Sequence, residues 1–149
     1  MKNPKLFALA AVIALASCEK DEINISNLSI IADGNTITYT VEEAISQKQK
    51  EKGLMFRKQM LEQNGMVFFN NPPKPMTMWM KNTIIPLDML FADADGKIVC
   101  IFENTTPYSE KFLPCTKDVA LVLELNAGQV QKHKIKIGDK ISHRLLKQN

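Results

Sequence analysis

Four charged residues stand where apolar ones would be expected. Arg57 follows Gly-Leu-Met-Phe, Lys81 follows Trp-Met, Asp88 lies between Leu87 and Met89, and Glu124 lies between Leu123 and Leu125. A charge inside an apolar stretch must be paired, shift its pKa or face a cavity. Two cations and two anions can form a closed ion-pair network. They can equally line a polar ligand pocket with Trp79, Asn82 and Thr83. Used as an acid–base pair, Asp88 and Glu124 would make a hydrolase-like site, although no nucleophile motif accompanies them. If all four share one site, removing one strands its partner, and Arg57→Met or Glu124→Gln should each be severely destabilising.

The segment Met76-Thr77-Met78-Trp79-Met80 offers a different chemistry. Thioether sulfurs select Cu(I), so Met76, Met78 and Met80 are candidate copper ligands, with Cys100, Cys115, His133 and His143 as further donors. None of these has paired metal-ligand spacing. Methionine beside an aromatic ring is also ordinary core packing. The expected site is therefore one without a metal or other cofactor. Cys100 and Cys115 could pair in an oxidising compartment or remain separate thiols. His133 and His143 lie among lysines and read as surface residues.

These residues must be positioned by short elements. Leu28 to Ala32, the turn Asp33-Gly34 and the alternation Ile37, Tyr39, Val41 read as a β-hairpin. Ser46 with Gln49 fits a capping box, and Gly53 is placed to end a short helix. Gly65 to Phe69 is a short strand, and Pro72, Pro73 and Pro75 mark a loop. Leu87 to Ala92 and Lys97 to Phe102 flank a second turn. Residues 104–117 read as a long loop, and Val119 to Leu125 as an apolar strand. Lys132, Lys134 and Lys136 alternate like a solvated strand face, while Asn126 could instead cap a short helix. Short strands with closely spaced turns predict a mainly β fold: a compact antiparallel β-barrel or sandwich with one or two short helices.

The chain of 149 residues suits one such domain. Its start is different in kind. Lys2 and Lys5, the apolar run Leu6 to Leu15 and the exit Leu15-Ala16-Ser17-Cys18 read as a lipoprotein signal over residues 1–17. Cys18 is then the lipidation site and the membrane contact. Residues 18–27 form a polar tether and 28–147 the β-rich domain. The expected location is outside the cytoplasm, in the periplasm or at the outer membrane. Glu19-Lys20-Asp21-Glu22 resembles a surface-export signal and is equally a solvated tether. Without Lys2 and Lys5, 17 of the 19 Lys+Arg remain against 16 Asp+Glu, so no basic surface for nucleic acid is indicated.

Several motifs resemble one family. They are Gly53-Leu54-Met55-Phe56-Arg57, Gly65-Met66-Val67-Phe68, Trp79-Met80-Lys81-Asn82-Thr83 through Pro86-Leu87-Asp88, Asp95-Gly96-Lys97, Leu123-Glu124-Leu125-Asn126-Ala127-Gly128 and Gly138-Asp139. In this order they resemble the domain of unknown function 192 family, over roughly residues 36–145. The resemblance implies a compact, mostly β domain, often exported, with a short helix after Gly128 and no assigned reaction. Arg57, Lys81, Asp88 and Glu124 all fall on family positions. Met76, Met78, Cys100 and Cys115 do not. The combined expectation is a non-enzymatic binding or accessory module whose ligand-binding residues are Arg57, Trp79, Lys81, Asn82, Thr83, Asp88 and Glu124, with a small molecule or a protein as partner.

Overall fold

The computed structural model describes residues 22–146; the leader, Cys18 and the first tether residues lie outside them. Seven strands form one curled sheet, a half-barrel: β1 (Asn24–Ala32), β2 (Asn35–Ala44), β3 (Asn64–Met78), β4 (Leu87–Ala92), β5 (Ile98–Phe102), β6 (Leu113–Asn126) and β7 (Lys140–Ser142). Among the described residues two short helices accompany them, α1 (Gln47–Lys52) and α2 (Gln129–His133). The strand order is β5-β4-β6-β3-β2-β1-β7. All named pairs are antiparallel except β2 with β3, which run parallel through the connection that carries α1.

Local chemistry accounts for most of the elements. Asp33 and Gly34 both have positive φ, as a two-residue hairpin turn with the twist of its strands requires. Ser46 Oγ accepts from the Gln49 amide at 3.1 Å, and Gln49 Oε1 accepts from the Ser46 amide at 2.9 Å, so the capping box closes. Gly53 ends α1 with φ 46°. The central strands β4 and β6 are covered on both faces, which explains their near-continuous apolar runs. One face packs Leu28, Ile30, Val41, Leu90, Leu123 and Leu125 under Val130 and Ile141. The other packs Leu54, Met66, Phe68, Met80, Met89 and Phe91.

Four sequence expectations change. β1 begins at Asn24, inside the stretch read as tether, because its polar residues pair fully with β2. β3 continues through Pro72, Pro73 and Pro75 to Met78; the register shifts after Phe69 and again after Lys74, and such irregularities are where a strand tolerates proline. β6 starts at Leu113, inside the expected loop, drawn into pairing with Met78. The lysine alternation is not a strand: α2 occupies its start, led by Gly128 at φ 91° and not by Asn126.

Cys100 and Cys115 form a disulfide with a Cα–Cα separation of 6.0 Å, joining β5 to the start of β6. Constraining a loop of 15 residues stabilises by about 3 kcal/mol through the unfolded chain.

Candidate functional site

The strand register separates the two acids of the four charges. Residues directly opposite in neighbouring strands share a face. One row across the sheet reads Ile25, Glu42, Met66, Glu124, Met89, Phe102. The adjacent row reads Ser26, Val41, Gly65, Leu125, Asp88. Glu124 and Asp88 therefore point to opposite faces. An acid–base pair made from them has no common substrate position, and the single four-charge site expected from sequence does not assemble.

Each charge has its own surroundings. Asp88 is fully buried and clasps backbone: Oδ1 accepts from the Asn104 amide and Oδ2 from the Val130 amide, both at 2.8 Å. It thus ties the loop after β5 to α2. Arg57 forms a bidentate pair with Glu42, Nη1–Oε1 at 2.5 Å and Nη2–Oε2 at 2.9 Å. Those hydrogen bonds raise the guanidinium pKa despite partial burial. Glu124 is 4% exposed between Met66 and Met89 and has no hydrogen-bond or ionic partner among the described residues. Burial pushes its carboxyl up to about 8.

Lys81 belongs to an exposed cluster. Its Nζ lies 5.1 Å from the Trp79 ring centroid, within cation–π range. Trp79, 40% exposed, stacks on Phe112 at 6.5 Å with an interplanar angle of 26°. Two loops brace the turn that carries this pair, the one after α1 and the one between β5 and β6. The Phe56 amide donates to the Asn82 carbonyl at 2.9 Å, the Tyr108 amide to the Thr83 carbonyl at 3.0 Å, and the Met80 amide to the Ser109 carbonyl at 2.9 Å. Thr83 is buried, its Oγ1 donating to the Lys81 carbonyl, and the Asn82 side chain approaches Met55 Sδ. Phe56, Asn82 and Tyr108 all have positive φ, a conformation costly for residues other than glycine. Phe56 and Tyr108 nevertheless leave their rings exposed. Packing does not explain such strained, exposed aromatics.

The methionines separate as well. Met80 is buried with its sulfur 3.1 Å from the Thr105 hydroxyl, which donates to the Leu87 carbonyl at 2.8 Å, while Met76 and Met78 pack partly buried against the core. Among the described residues, no group of three or more His, Cys, Asp or Glu side chains could hold a metal ion.

Sequence reasoning missed a second charged centre. Glu43 is fully buried and accepts from Ser26 Oγ at 2.7 Å and Arg144 Nε at 2.8 Å; Arg144 Nη2 reaches its other oxygen. Burial would raise its pKa, but the bonds from Arg144 and Ser26 hold it below the usual carboxylate value. His143 is 2% exposed and joins through Ser26, which corrects the surface reading. Burial lowers its pKa, against the pull of Glu43. Adjacent Glu42 and Glu43 alternate across a strand, so each serves a different face. That alternation was visible in the sequence; their arginine partners, distant in the chain, were not.

The family model DUF192, described as "Uncharacterized ACR", matches residues 29–143. A crystal structure of a Sinorhizobium meliloti protein, described as a candidate transcription regulator, is 42% identical, with a TM-score of 0.82 over 85% of this chain and 99% of that one. A Novosphingobium aromaticivorans protein of unknown function is 32% identical, with a TM-score of 0.79 over 95% of this chain and 100% of that one. No functionally curated protein matches.

Proposed function

We propose, from the premise that this chain belongs to the DUF192 family and that the family supplies no reaction, a non-enzymatic binding module held outside the cytoplasm by a lipid on Cys18. The observation that carries the binding role is the Trp79–Phe112 stack under Lys81, presented on a turn braced by strained loops. Exposed tryptophan and tyrosine are enriched at interaction hot spots, and Lys81 adds a cation held over the Trp79 ring. Asp88 is engaged by backbone, which supports a positioning role for it over a catalytic one. The partner is a protein or small molecule that covers the Trp79 face. The regulator description of the S. meliloti protein does not enter this reading, because a net charge near zero after residue 17 supplies little of the overall positive field that draws a protein to nucleic acid.

A photo-crosslinking amino acid at Phe112 should form a discrete adduct in intact cells. Trp79→Ala or Lys81→Ala should abolish it. No adduct, or the same adduct from a crosslinker placed at exposed Lys136, defeats the binding role.

The anchor is tested separately. Stable membrane attachment needs more than one acyl chain, as a lipoprotein cysteine carries. Cys18→Ser should move the protein from the membrane pellet to the soluble fraction; equal partition of both forms would refute the anchor.

A further inference from the structure

A cleft of about 280 Å³ opens where the chain enters the domain, lined by Ile23, Glu42, Lys48, Lys52, Arg57 and Met66 among others. We infer that this cleft binds a phosphate group and that in the anchored protein the phosphate belongs to an anionic lipid headgroup.

The charge balance points to an anion. Three cations face one carboxylate, and Glu42 is already taken by Arg57 in the bidentate pair. Lys48 and Lys52 form no salt bridge among the described residues. They stand four apart on α1 and so share a face, an arrangement in which like charges repel. Lys48 also lies in the first turn of a helix that has no acid there, where a cation is unfavourable. Lys50 points elsewhere, its Nζ donating to the Phe69 carbonyl. A bound anion would relieve both costs, with the two lysine ammoniums as the donors to phosphate oxygens and the N–H groups of Arg57 not used by Glu42 beside them. The opposing acids nearby are Glu42 itself, Glu22 in the chain leading into β1 and Glu51 on α1, and Glu51 accepts from Gln47.

Position selects the source. Gln49 Nε2 donates to the Glu22 carbonyl at 3.2 Å, which fixes the entering chain against α1. Cys18 is five residues before Ile23, a reach of at most ~17 Å when extended. Given the proposed anchor, the cleft then sits within reach of the headgroups. Ile25, 66% exposed, and the apolar cleft residues Ile23 and Met66 suit the rest of an amphiphile. The lipid source depends on the anchor at Cys18; the phosphate site does not.

The test uses the Cys18→Ser protein, so that no acyl chain masks the cleft. One arm measures cosedimentation with phosphatidylcholine vesicles with and without phosphatidylglycerol. The other follows amide shifts of Gln49 and Gly53 on titration with glycerol 3-phosphate. Lys48→Glu/Lys52→Glu should weaken binding by at least roughly tenfold, at about a decade or less per lysine near an anionic surface. Lys117→Glu/Lys136→Glu makes the same change in net charge elsewhere and should have little effect. Specific loss in the vesicle arm assigns a headgroup; specific loss in the titration arm alone assigns a soluble phosphate ester in place of the lipid. If neither probe engages the unsubstituted cleft, or the control pair loses as much, the site is overturned. Trp79→Ala should leave both arms unchanged, which keeps this result separate from the fate of the aromatic surface.

Discussion

Glu124→Gln is expected to stabilise the protein at neutral pH, the reverse of what a shared charge network predicts. The carboxyl is buried beside Met66 and Met89 without a counter-charge, and its pKa rises from 4.5 to about 8. The sign follows from linkage. A group whose pKa is raised on folding contributes stability that is fully present below its unfolded value and is lost as pH rises through the folded one. The loss therefore runs from about pH 4.5 to about pH 8. At pH 7 it amounts to at most about 3 kcal/mol, because the unpartnered carboxyl oxygens keep a little contact with solvent, against a typical stability of about 5–15 kcal/mol. Glutamine does not titrate, so its curve should lack this loss: the two curves should meet near pH 4 and separate as pH rises toward 8. Urea unfolding at a series of pH values measures this. Parallel curves for the two proteins would show that Glu124 has a charge partner or ready access to water. Arg57→Met differs, since it strands Glu42 in a partly buried position and should destabilise.

Gly96→Ala should be among the most damaging single-methyl changes in the domain. Lys97 bridges to Lys140, the Ile141 amide donates to the Gly96 carbonyl at 2.7 Å, and the Ile98 amide donates to the Asp139 carbonyl at 2.8 Å. These bonds tie the β5 end of the curled sheet to β7 at its other edge. A Cβ on Gly96 would stand 2.1 Å from the Ile141 carbonyl oxygen, and its φ of 82° adds backbone strain. The closure must open, leaving buried backbone groups unpaired, so a loss on the order of 4 kcal/mol or more is expected. Gly138→Ala provides the contrast. Its φ is 101°, but a Cβ there meets nothing within 4 Å, so only the strain of about 1–2 kcal/mol applies. Equal losses for the two variants in denaturant unfolding would mean that the edge-to-edge closure contributes little.

What the sequence determined by itself was local. Hydrophobic alternation and turn residues specified the β1–β2 hairpin, the Ser46 cap and the β4–β5 hairpin, because each depends on side chains within a few positions of one another. The run of motifs identified the family, and the odd placement of Arg57, Lys81, Asp88 and Glu124 in apolar sequence marked them as special. Tertiary structure decided what each of them does. Register, which no local signal records, turned Glu124 and Asp88 to opposite faces, since one position along a strand reverses a side chain. Long-range pairing gave Arg57 to Glu42 and Glu43 to Arg144, joined Cys100 to Cys115, and buried His143 among lysines that had suggested a surface. The prolines of β3 read as loop because their local preference is real; pairing with β6 overrode it by shifting register around them. Only the packing of two separate loops around residues 80–83 brought Phe112 onto Trp79 and made an exposed surface out of a segment that, read alone, looked like core.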